Sequence, residues 1–138
     1  MRFMIIVKAN KDSEAGVMPS AELIDAMGRF NEQLIDAGVL VAAEGLQASR
    51  KGAKVRFENG KFTVTDGPFA EAKELIAGFW IVDVKSRDEV IDWVKKIPFE
   101  EGEEIEVRKV FEASDWEQEG VDPALIEQEK FLREKLGG

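Results

Sequence analysis

Residues 65–84 read TDGPFAEAKELIAGFWIVDV, and this segment decides the fold. Its second half, from Phe79 to Val82, is apolar at every position. Because successive side chains of a strand point to opposite faces, such a run must be covered on both sides. Its first half is a turn, since Gly67 can adopt backbone angles barred to other residues and Pro68 fixes its own. The segment predicts a buried central strand entered through a rigid, acidic turn, the floor and lip of a pocket.

The size and composition favour one domain. The chain has 138 residues, enough to bury a core, and we expect a single domain over 1–138 with a core over 1–112 and a C-terminal helix over 121–136. No stretch approaches the ~20 apolar residues of a membrane span, and the N-terminus lacks the pattern of a secretion signal. Cysteine is absent, which excludes disulfides and thiolate chemistry and suits a cytoplasmic protein.

Histidine is absent as well, which restricts the possible chemistry further. The chain lacks the commonest acid–base group near neutral pH and the commonest zinc ligand. Ser-His-Asp and Cys-His catalytic arrangements are excluded, and glycine-rich phosphate loops are missing. A metal site made only of carboxylates stays conceivable, but EF-hand spacing is missing too. We therefore expect no cofactor and no metal.

The charge balance argues against nucleic-acid and membrane partners. The formal net charge is −9, from 28 acidic and 19 basic side chains. Such a surface repels phosphate backbones unless a basic patch is segregated on it. The one local basic cluster, Arg50 to Arg56, is short and looks like one side of a hairpin. We expect a small molecule and a second copy of the chain as partners.

The order of elements is strand, helix, strand, hairpin, strand, helix, strand, helix. Ser20 is the N-cap candidate of the first helix, and Asp122 that of the last. Ser86 and Glu89 have the spacing of a capping box, in which each side chain accepts the other residue's amide proton. Residues 8–16 are polar and contain glycine, which predicts a loop. The predicted strands cover 2–7, 39–43, 54–58, 61–65, 79–82 and 105–111.

The hairpin has the clearest local signal. Asn59-Gly60 is the preferred pair for a two-residue turn between antiparallel strands. The implied register sets Phe57 opposite Phe62, with a pair of valines beside them on the same face. Glu58 then meets Lys61 on the other face, a pair of opposite charges.

This order indicates a ferredoxin-like α+β sheet with its two main helices on one face. Two helices cover one side of a sheet, yet residues 3–7 and 79–82 are apolar on both sides. The second face then needs a partner, and an identical sheet from another copy is the simplest one. The sequence therefore predicts a homodimer with sheets face to face, which could assemble further.

The tetrapeptide Asp66-Gly67-Pro68-Phe69, followed by Gly78 and Phe79, resembles the YCII-related family, also called DGPF-domain proteins. The resemblance covers residues 1–111 and implies a dimeric α+β barrel. Relatives commonly carry a histidine after the Gly-Leu pair at 45–46, where this chain has Gln47. Glutamine can donate and accept hydrogen bonds but cannot shuttle a proton at neutral pH. The substitution weakens any acid–base role implied by the family.

Two carboxylates are the catalytic candidates. Asp66 is expected to cap the turn by accepting the amide protons around Gly67 and Phe69, or else to polarise a ligand. Glu44 follows an apolar run, which predicts a partly buried carboxylate paired with a cation. Its candidate partners are Arg50, Lys73 and Lys8. The candidate ligand-binding residues are Lys8, Gln47, Arg50, Phe69, Lys73 and Trp80.

Three functions are compatible with these residues. The first is a homodimeric small-molecule-binding protein that has lost the family's chemistry with its histidine. The second is a small-molecule enzyme of hydrolase or lyase type that uses Asp66 and Glu44 as acid and base. The third is a structural oligomer whose turn serves folding alone. The missing histidine favours the first.

Overall fold

A computed structural model of the chain describes residues 1–137, except the side chain of Lys73. The fold is α+β. Its strands are β1 (Arg2–Lys8), β2 (Leu40–Gly45), β3 (Ala53–Glu58), β4 (Lys61–Asp66), β5 (Ile76–Asp83) and β6 (Ile105–Lys109). Its helices are α1 (Lys11–Glu14), α2 (Ala21–Asp36), α3 (Arg87–Val94), α4 (Ala113–Gln118) and α5 (Pro123–Lys135). Single 3-10 turns lie at Ser49–Lys51 and Ala72–Glu74. None of the helices in this part of the chain has the length and apolarity of a membrane span.

The main sheet has four strands in the order β2-β5-β1-β6, and every neighbouring pair is antiparallel. The central pair is β1 and β5, in which Ile5 lies opposite Trp80. The prediction that the segment around Phe79 to Val82 forms a central strand is confirmed. At Gly78 the neighbouring strand comes so close that a Cβ atom would lie 2.8 Å from the Glu44 carbonyl oxygen. Glycine is therefore required there by the contact between β5 and β2.

The core lies between this sheet and the helices α2 and α3. The Phe30 ring meets the Trp80 ring edge-on, with centroids 5.4 Å apart. Ser20 caps α2 as predicted, because its hydroxyl oxygen accepts the Leu23 amide proton at 3.1 Å. Each fully buried aliphatic side chain contributes about 1.5–3 kcal/mol to stability. The core residues are Phe3, Ile5, Phe30, Leu34, Trp80, Val82, Val84, Val90 and Ile97.

The second face of the sheet is also apolar at its centre. The register places Met4 beside Ile81 and Ile6 beside Phe79. Ile6 is buried, and the other three side chains are half-buried. Ile6 is not part of the core cluster between the sheet and the helices. The prediction of apolar side chains on both faces is confirmed.

The C-terminal helices cover one end of that second face. Arg2 and Asp83, which lie opposite each other at this end, line a cleft of about 520 Å³. Trp116 of α4 and Arg133 of α5 line the same cleft. The C-terminal helices therefore lie beside this end of the second face, and the expected pairing of two sheets stays a prediction. The helix α5 begins at the predicted Asp122-Pro123 pair, and the Asp122 carboxylate accepts the Ala124 amide proton at 2.9 Å.

The hairpin forms a separate two-stranded sheet of β3 and β4. The predicted register is confirmed, with Phe57 opposite Phe62 and Glu58 opposite Lys61. Asn59 and Gly60 both have positive φ angles, 52° and 74°, as a tight hairpin turn requires. Every residue of both strands is exposed. The hairpin therefore projects from the body of the protein.

Several local expectations need correction. Residues 8–16 contain the helix α1, capped by Asn10, whose side-chain oxygen accepts the Ser13 amide proton at 2.8 Å. The Glu89 carboxylate accepts the amide proton of Lys85 rather than that of Ser86. In addition, β6 ends at Lys109, and the residues after Phe111 form α4. These details depend on side-chain geometry that spacing alone does not specify.

Candidate functional site

The Asp-Gly-Pro-Phe turn is held by Ser49 rather than by Asp66. The Ser49 hydroxyl oxygen accepts the Phe69 amide proton at 3.0 Å, and the Gly67 amide donates to the Gly52 carbonyl at 3.0 Å. A Cβ atom on Gly67 would lie 1.8 Å from the Ser49 carbonyl oxygen. Gly67 has a negative φ angle, so glycine is required here by close backbone contact and not by unusual backbone angles. The peptide bond between Gly67 and Pro68 is cis.

Ser49 connects this turn to the first loop of the chain through Glu14. The Ser49 hydroxyl and amide both donate to the Glu14 carboxylate, the amide at 2.8 Å. These two hydrogen bonds hold the pKa of Glu14 below its usual value, and the one from the hydroxyl has the larger effect. Three segments far apart in the sequence therefore meet at one hydroxyl group. Because its hydrogen-bonding capacity is used within the chain, we assign this cluster a structural role.

Asp66 does not cap the Asp-Gly-Pro-Phe turn. It is the last residue of β4, lies opposite Ala53, and is exposed. Within the described part of the chain its carboxylate makes no hydrogen bond or ion pair. The prediction that Asp66 caps the turn is wrong, because β4 continues as an extended strand through this residue. The amides of Gly67 and Phe69 have other acceptors.

A cleft of about 380 Å³ opens where α2 lies over the edge of the sheet at β2, and we call it the α2 cleft. Its walls are mainly apolar, and Trp80 forms part of its floor. Of its two polar lining residues, Asn31 and Glu44, only Asn31 lies on the helix side of the sheet. Glu44 pairs with Phe79, whereas the preceding Ala43 pairs with Trp80, so the Glu44 side chain projects from the opposite face. Its lining residues are Val7, Pro19, Met27, Asn31, Ala43, Glu44, Gly45, Ala77, Gly78, Phe79 and Trp80.

Asn31 is oriented by Trp80. The Trp80 Nε1–H donates to Asn31 Oδ1 at 2.7 Å. Because the indole nitrogen can only donate, the Asn31 amide must turn its oxygen toward Trp80. The amide NH₂ group has no acceptor among the described residues. The cleft therefore offers a bound molecule a fixed hydrogen-bond donor beside an aromatic wall.

Glu44 borders this cleft, but its side chain projects from the opposite face of the sheet, because it pairs with Phe79 and not with Trp80. It is exposed, and the described part of the chain places no cation within ion-pair distance of it. The expectation that Glu44 is partly buried is wrong, because β2 is the edge strand of the sheet. Of its proposed partners, Lys8 instead pairs with Glu106 at 2.8 Å. The pKa of Glu106 is lowered by that bond and by Arg108.

The remaining ligand-binding candidates lie outside the α2 cleft. Gln47 and Arg50 are exposed, and the Arg50 guanidinium packs near Gly16. The Phe69 ring is half-buried beneath Lys54, whose ammonium nitrogen lies 4.2 Å from the ring centroid. The side chain of Lys73 lies outside the described residues. Glu44 and Trp80 both border the α2 cleft, but their side chains project from opposite faces of the sheet, and Asp66 does not line the cleft.

The sequence analysis missed Asn31, although a signal was present. Asn31 lies four residues after Met27 and three before Leu34, so it shares the apolar side of α2. A polar residue in an apolar stripe needs a partner or a function. Glu14 and Ser49 were missed too. They are 35 residues apart, and no local pattern connects them.

The α2 cleft differs from the larger cleft at the C-terminal helices in whether its polar groups have partners. In the larger cleft the N-terminal amine pairs with Asp83 at 3.1 Å. Arg133 likewise pairs with Glu129 at 3.0 Å. These charged groups already satisfy one another, whereas the Asn31 amide NH₂ group at the α2 cleft has no acceptor among the described residues. No group of three or more acidic side chains arranged to hold a metal ion occurs within the described residues.

Similar proteins are known. An uncharacterized protein of Rhizobium meliloti (strain 1021) is 36% identical over 71 residues, which cover 51% of this chain and 57% of that protein. The match thus spans little more than half of the relative's length. The solved structure of 5-chloro-2-hydroxyhydroquinone dehydrochlorinase from Burkholderia phenoliruptrix AC1100, in complex with 2,5-dihydroxybenzoquinone, is 19% identical. It aligns with a TM-score of 0.42 over 80% of this chain and 94% of that one. The YCII-related domain matches residues 1–114, and the chain therefore belongs to the YCII-related domain family.

Proposed function

We propose that this protein is a homodimeric, non-catalytic binding protein that takes a small amphipathic molecule into the α2 cleft. One observation carries the proposal. Asn31 is oriented by Trp80 so that its amide NH₂ group, which has no acceptor among the described residues, lies beside an apolar wall of the cleft. The volume of the α2 cleft, about 380 Å³, is within the usual range for small-molecule sites.

The lining determines the chemical class of the ligand. The apolar walls favour a compact hydrocarbon or aromatic body, because burial of its surface drives binding. The Asn31 amide requires an acceptor such as a hydroxyl or carbonyl oxygen. The net charge of −9 favours a cation over an anion. An aromatic or aliphatic amine that also carries a hydroxyl or carbonyl oxygen fits this combination.

Two features support binding without catalysis. The chain has no histidine, so neutral-pH proton transfer would depend on carboxylates with shifted pKa values. Asp66, the second candidate carboxylate, does not line the cleft. A single exposed carboxylate cannot divide the roles of general acid and general base.

The homodimer rests on the second face of the sheet. Its centre is apolar, and the C-terminal helices lie at only one end of it. The strand order supports a ferredoxin-like sheet, of which two copies would form an α+β barrel. Absence of cysteine supports the cytoplasm as its compartment.

Three probes that share one apolar body test the proposal: phenethylamine, phenethyl alcohol and 3-phenylpropionate. By calorimetry, we expect the amine and the alcohol to bind and the carboxylate to bind worst. Asn31→Leu should weaken binding of the alcohol about two- to tenfold, the size of one lost hydrogen bond. Glu44→Gln, whose side chain projects from the opposite face of the sheet, is the control and should have no effect.

A bulkier side chain at the cleft tests its location. A Cβ atom on Gly45 would meet nothing within 4 Å, so Gly45→Leu adds volume at the cleft without a clash. This variant should fold normally and weaken binding of the amine and the alcohol alike. If the carboxylate binds the wild-type protein as well as the amine does, the preference for a cation is wrong. If none of the probes binds, the ligand class is wrong.

A further inference from the structure

A second cleft lies at the C-terminal helices, and the proposed function does not use it. We call this space of about 520 Å³, between the second face of the sheet and the helices α4 and α5, the C-terminal cleft. The family match ends at residue 114, whereas α4 and α5 continue to Lys135. One wall of the cleft is therefore built mainly from a segment that lies outside the family match.

Arg2 reaches this cleft from the second face of the sheet. It lies opposite Asp83, and both residues line the cleft. Their neighbours Phe3 and Val82 also lie opposite each other, and both belong to the core on the helix side. Because successive side chains of a strand alternate between faces, Arg2 and Asp83 project from the other face, beside α4 and α5. Arg2 is half-buried there.

The guanidinium of Arg2 has no partner among the described residues. The Arg2 main-chain amide donates to the Glu112 carboxylate at 3.1 Å, but the guanidinium makes no hydrogen bond or ion pair within this part of the chain. Asp83 pairs instead with the N-terminal amine, and Glu129 pairs with Arg133. A guanidinium has five N–H donors and no acceptor, so a half-buried one requires acceptors from elsewhere.

Trp116 gives the cleft an aromatic wall and a second donor. Its ring is half-buried and tilted against that of Phe111, with centroids 6.2 Å apart. Phe111 itself is 64% exposed and Val41 is 54% exposed, although both are large apolar side chains. The indole N–H of Trp116 can only donate, and it has no acceptor among the residues that the structure describes. The lining therefore combines apolar surface with two donors that lack acceptors.

The other charged groups of the lining are already paired. Lys130, the remaining charged residue, lies 3.6 Å from a Glu127 carboxylate oxygen. A negative charge beside Arg2 would therefore complete the pairing within the cleft. The net charge of −9 acts over longer distances, and salt at physiological ionic strength screens exposed charges more than about 8 Å apart.

We propose that the C-terminal cleft is a second ligand site, which binds an aromatic carboxylate. The carboxylate of the ligand accepts hydrogen bonds from the Arg2 guanidinium, whose planar fork matches its two oxygens. The aromatic body packs on the wall formed by Phe111 and Trp116. A volume of about 520 Å³ is within the usual range for small-molecule sites and admits two fused rings. The two clefts thus select ligands of opposite charge.

The test compares naphthalene-2-carboxylate with naphthalene-2-carboxamide, which have nearly the same shape but differ in charge. Each is titrated at physiological ionic strength into ¹⁵N-labelled protein, and the indole N–H signal of Trp116 is followed. We expect the carboxylate to shift this signal with a dissociation constant about three- to tenfold lower than that of the carboxamide. No shift at Trp116 with the carboxylate, or equal constants for the two probes, would overturn the inference.

Two arginine variants test the role of the charge. Arg2→Gln removes the guanidinium but keeps the main-chain amide that donates to Glu112. It should weaken carboxylate binding at Trp116 about three- to tenfold and leave carboxamide binding unchanged, which also shows that the cleft is intact. Arg56→Gln, at an exposed position of β3, changes the net charge equally and should have no effect. If Arg2→Gln binds the carboxylate as tightly as the wild type does, Arg2 does not hold the ligand and the inference is wrong.

This inference stands or falls separately from the proposed function, because Trp80 and Trp116 report on different clefts. 3-Phenylpropionate has one ring and buries less surface in the C-terminal cleft than two fused rings do. Repeating the calorimetry of phenethylamine and 3-phenylpropionate in Arg2→Gln confines that comparison to the α2 cleft. A failure there leaves the Trp116 titration unaffected.

Discussion

The substitution Gly67→Ala tests how the Asp-Gly-Pro-Phe turn is held. A Cβ atom at this position would lie 1.8 Å from the Ser49 carbonyl oxygen, 2.5 Å from its carbon and 3.0 Å from the Arg50 nitrogen. All three atoms belong to the backbone, so no side-chain rotation relieves the clash. The turn must move until the closest contact reaches about 3.4 Å, the lower end of ordinary van der Waals contact.

The expected cost follows from what this movement disrupts. Forced overpacking costs about 1–3 kcal/mol. The hydrogen bonds from the Gly67 and Phe69 amides also lengthen, and each contributes about 0.5–1.5 kcal/mol. Alanine also restricts the unfolded chain more than glycine does, which offsets about 0.4–1 kcal/mol of this cost. We expect a net loss of about 2–4 kcal/mol in the free energy of unfolding, which lowers the Tm by roughly 10 °C.

The measurement is urea and thermal unfolding at one fixed protein concentration, since oligomers melt in a concentration-dependent way. Gly52→Ala is the control. A Cβ atom there would lie 3.5 Å from the same Ser49 oxygen, an ordinary contact, and its backbone is extended. It should change stability by less than about 0.5 kcal/mol. If Gly67→Ala unfolds at the wild-type midpoint, close backbone contact does not hold the turn.

Three further predictions concern single substitutions at Glu14, Asp66 and Gly78. The lowered pKa of Glu14 stabilises the folded chain. This contribution is fully present above the usual pKa of glutamate, about 4.3, and it is lost as the pH falls through the lower pKa of the folded state. Glu14→Gln should therefore lower the Tm at pH 7, with the difference from wild type shrinking toward pH 3. Asp66→Asn should leave the Tm unchanged, whereas loss of a true cap would cost about 1 kcal/mol. Gly78→Ala should lower both the Tm and phenethylamine affinity, because its Cβ atom would lie 2.8 Å from the Glu44 carbonyl oxygen.

Features set by neighbouring residues are predictable from this sequence. The hairpin register follows from Asn59-Gly60, whose backbone angles allow only a tight turn. The cap at Ser20 follows from a hydroxyl placed before an apolar stripe. The central position of β5 follows from a run that is apolar on both faces. In each case the determining chemistry lies within a few residues.

Features set by distant residues are not predictable in this way. Gly67 is needed because Ser49, 18 positions earlier, approaches it, and the Phe69 amide donates to that same serine. For this reason Asp66 does not cap the turn, although an aspartate before glycine commonly does. The candidate site could be predicted only in part. Glu44 and Trp80 are identifiable from the sequence, but the hydrogen bond that orients Asn31 is not.

The most direct test of the α2 cleft as the binding site uses the indole N–H signals in a ¹H–¹⁵N correlation spectrum. The chain has three tryptophans, and they lie in different surroundings: Trp80 at the α2 cleft, Trp93 on α3 and Trp116 at the C-terminal cleft. On addition of phenethylamine, we predict that the Trp80 indole and Asn31 amide signals shift with one dissociation constant while the other two indoles stay unchanged. A shift at Trp116 with none at Trp80 would contradict the account.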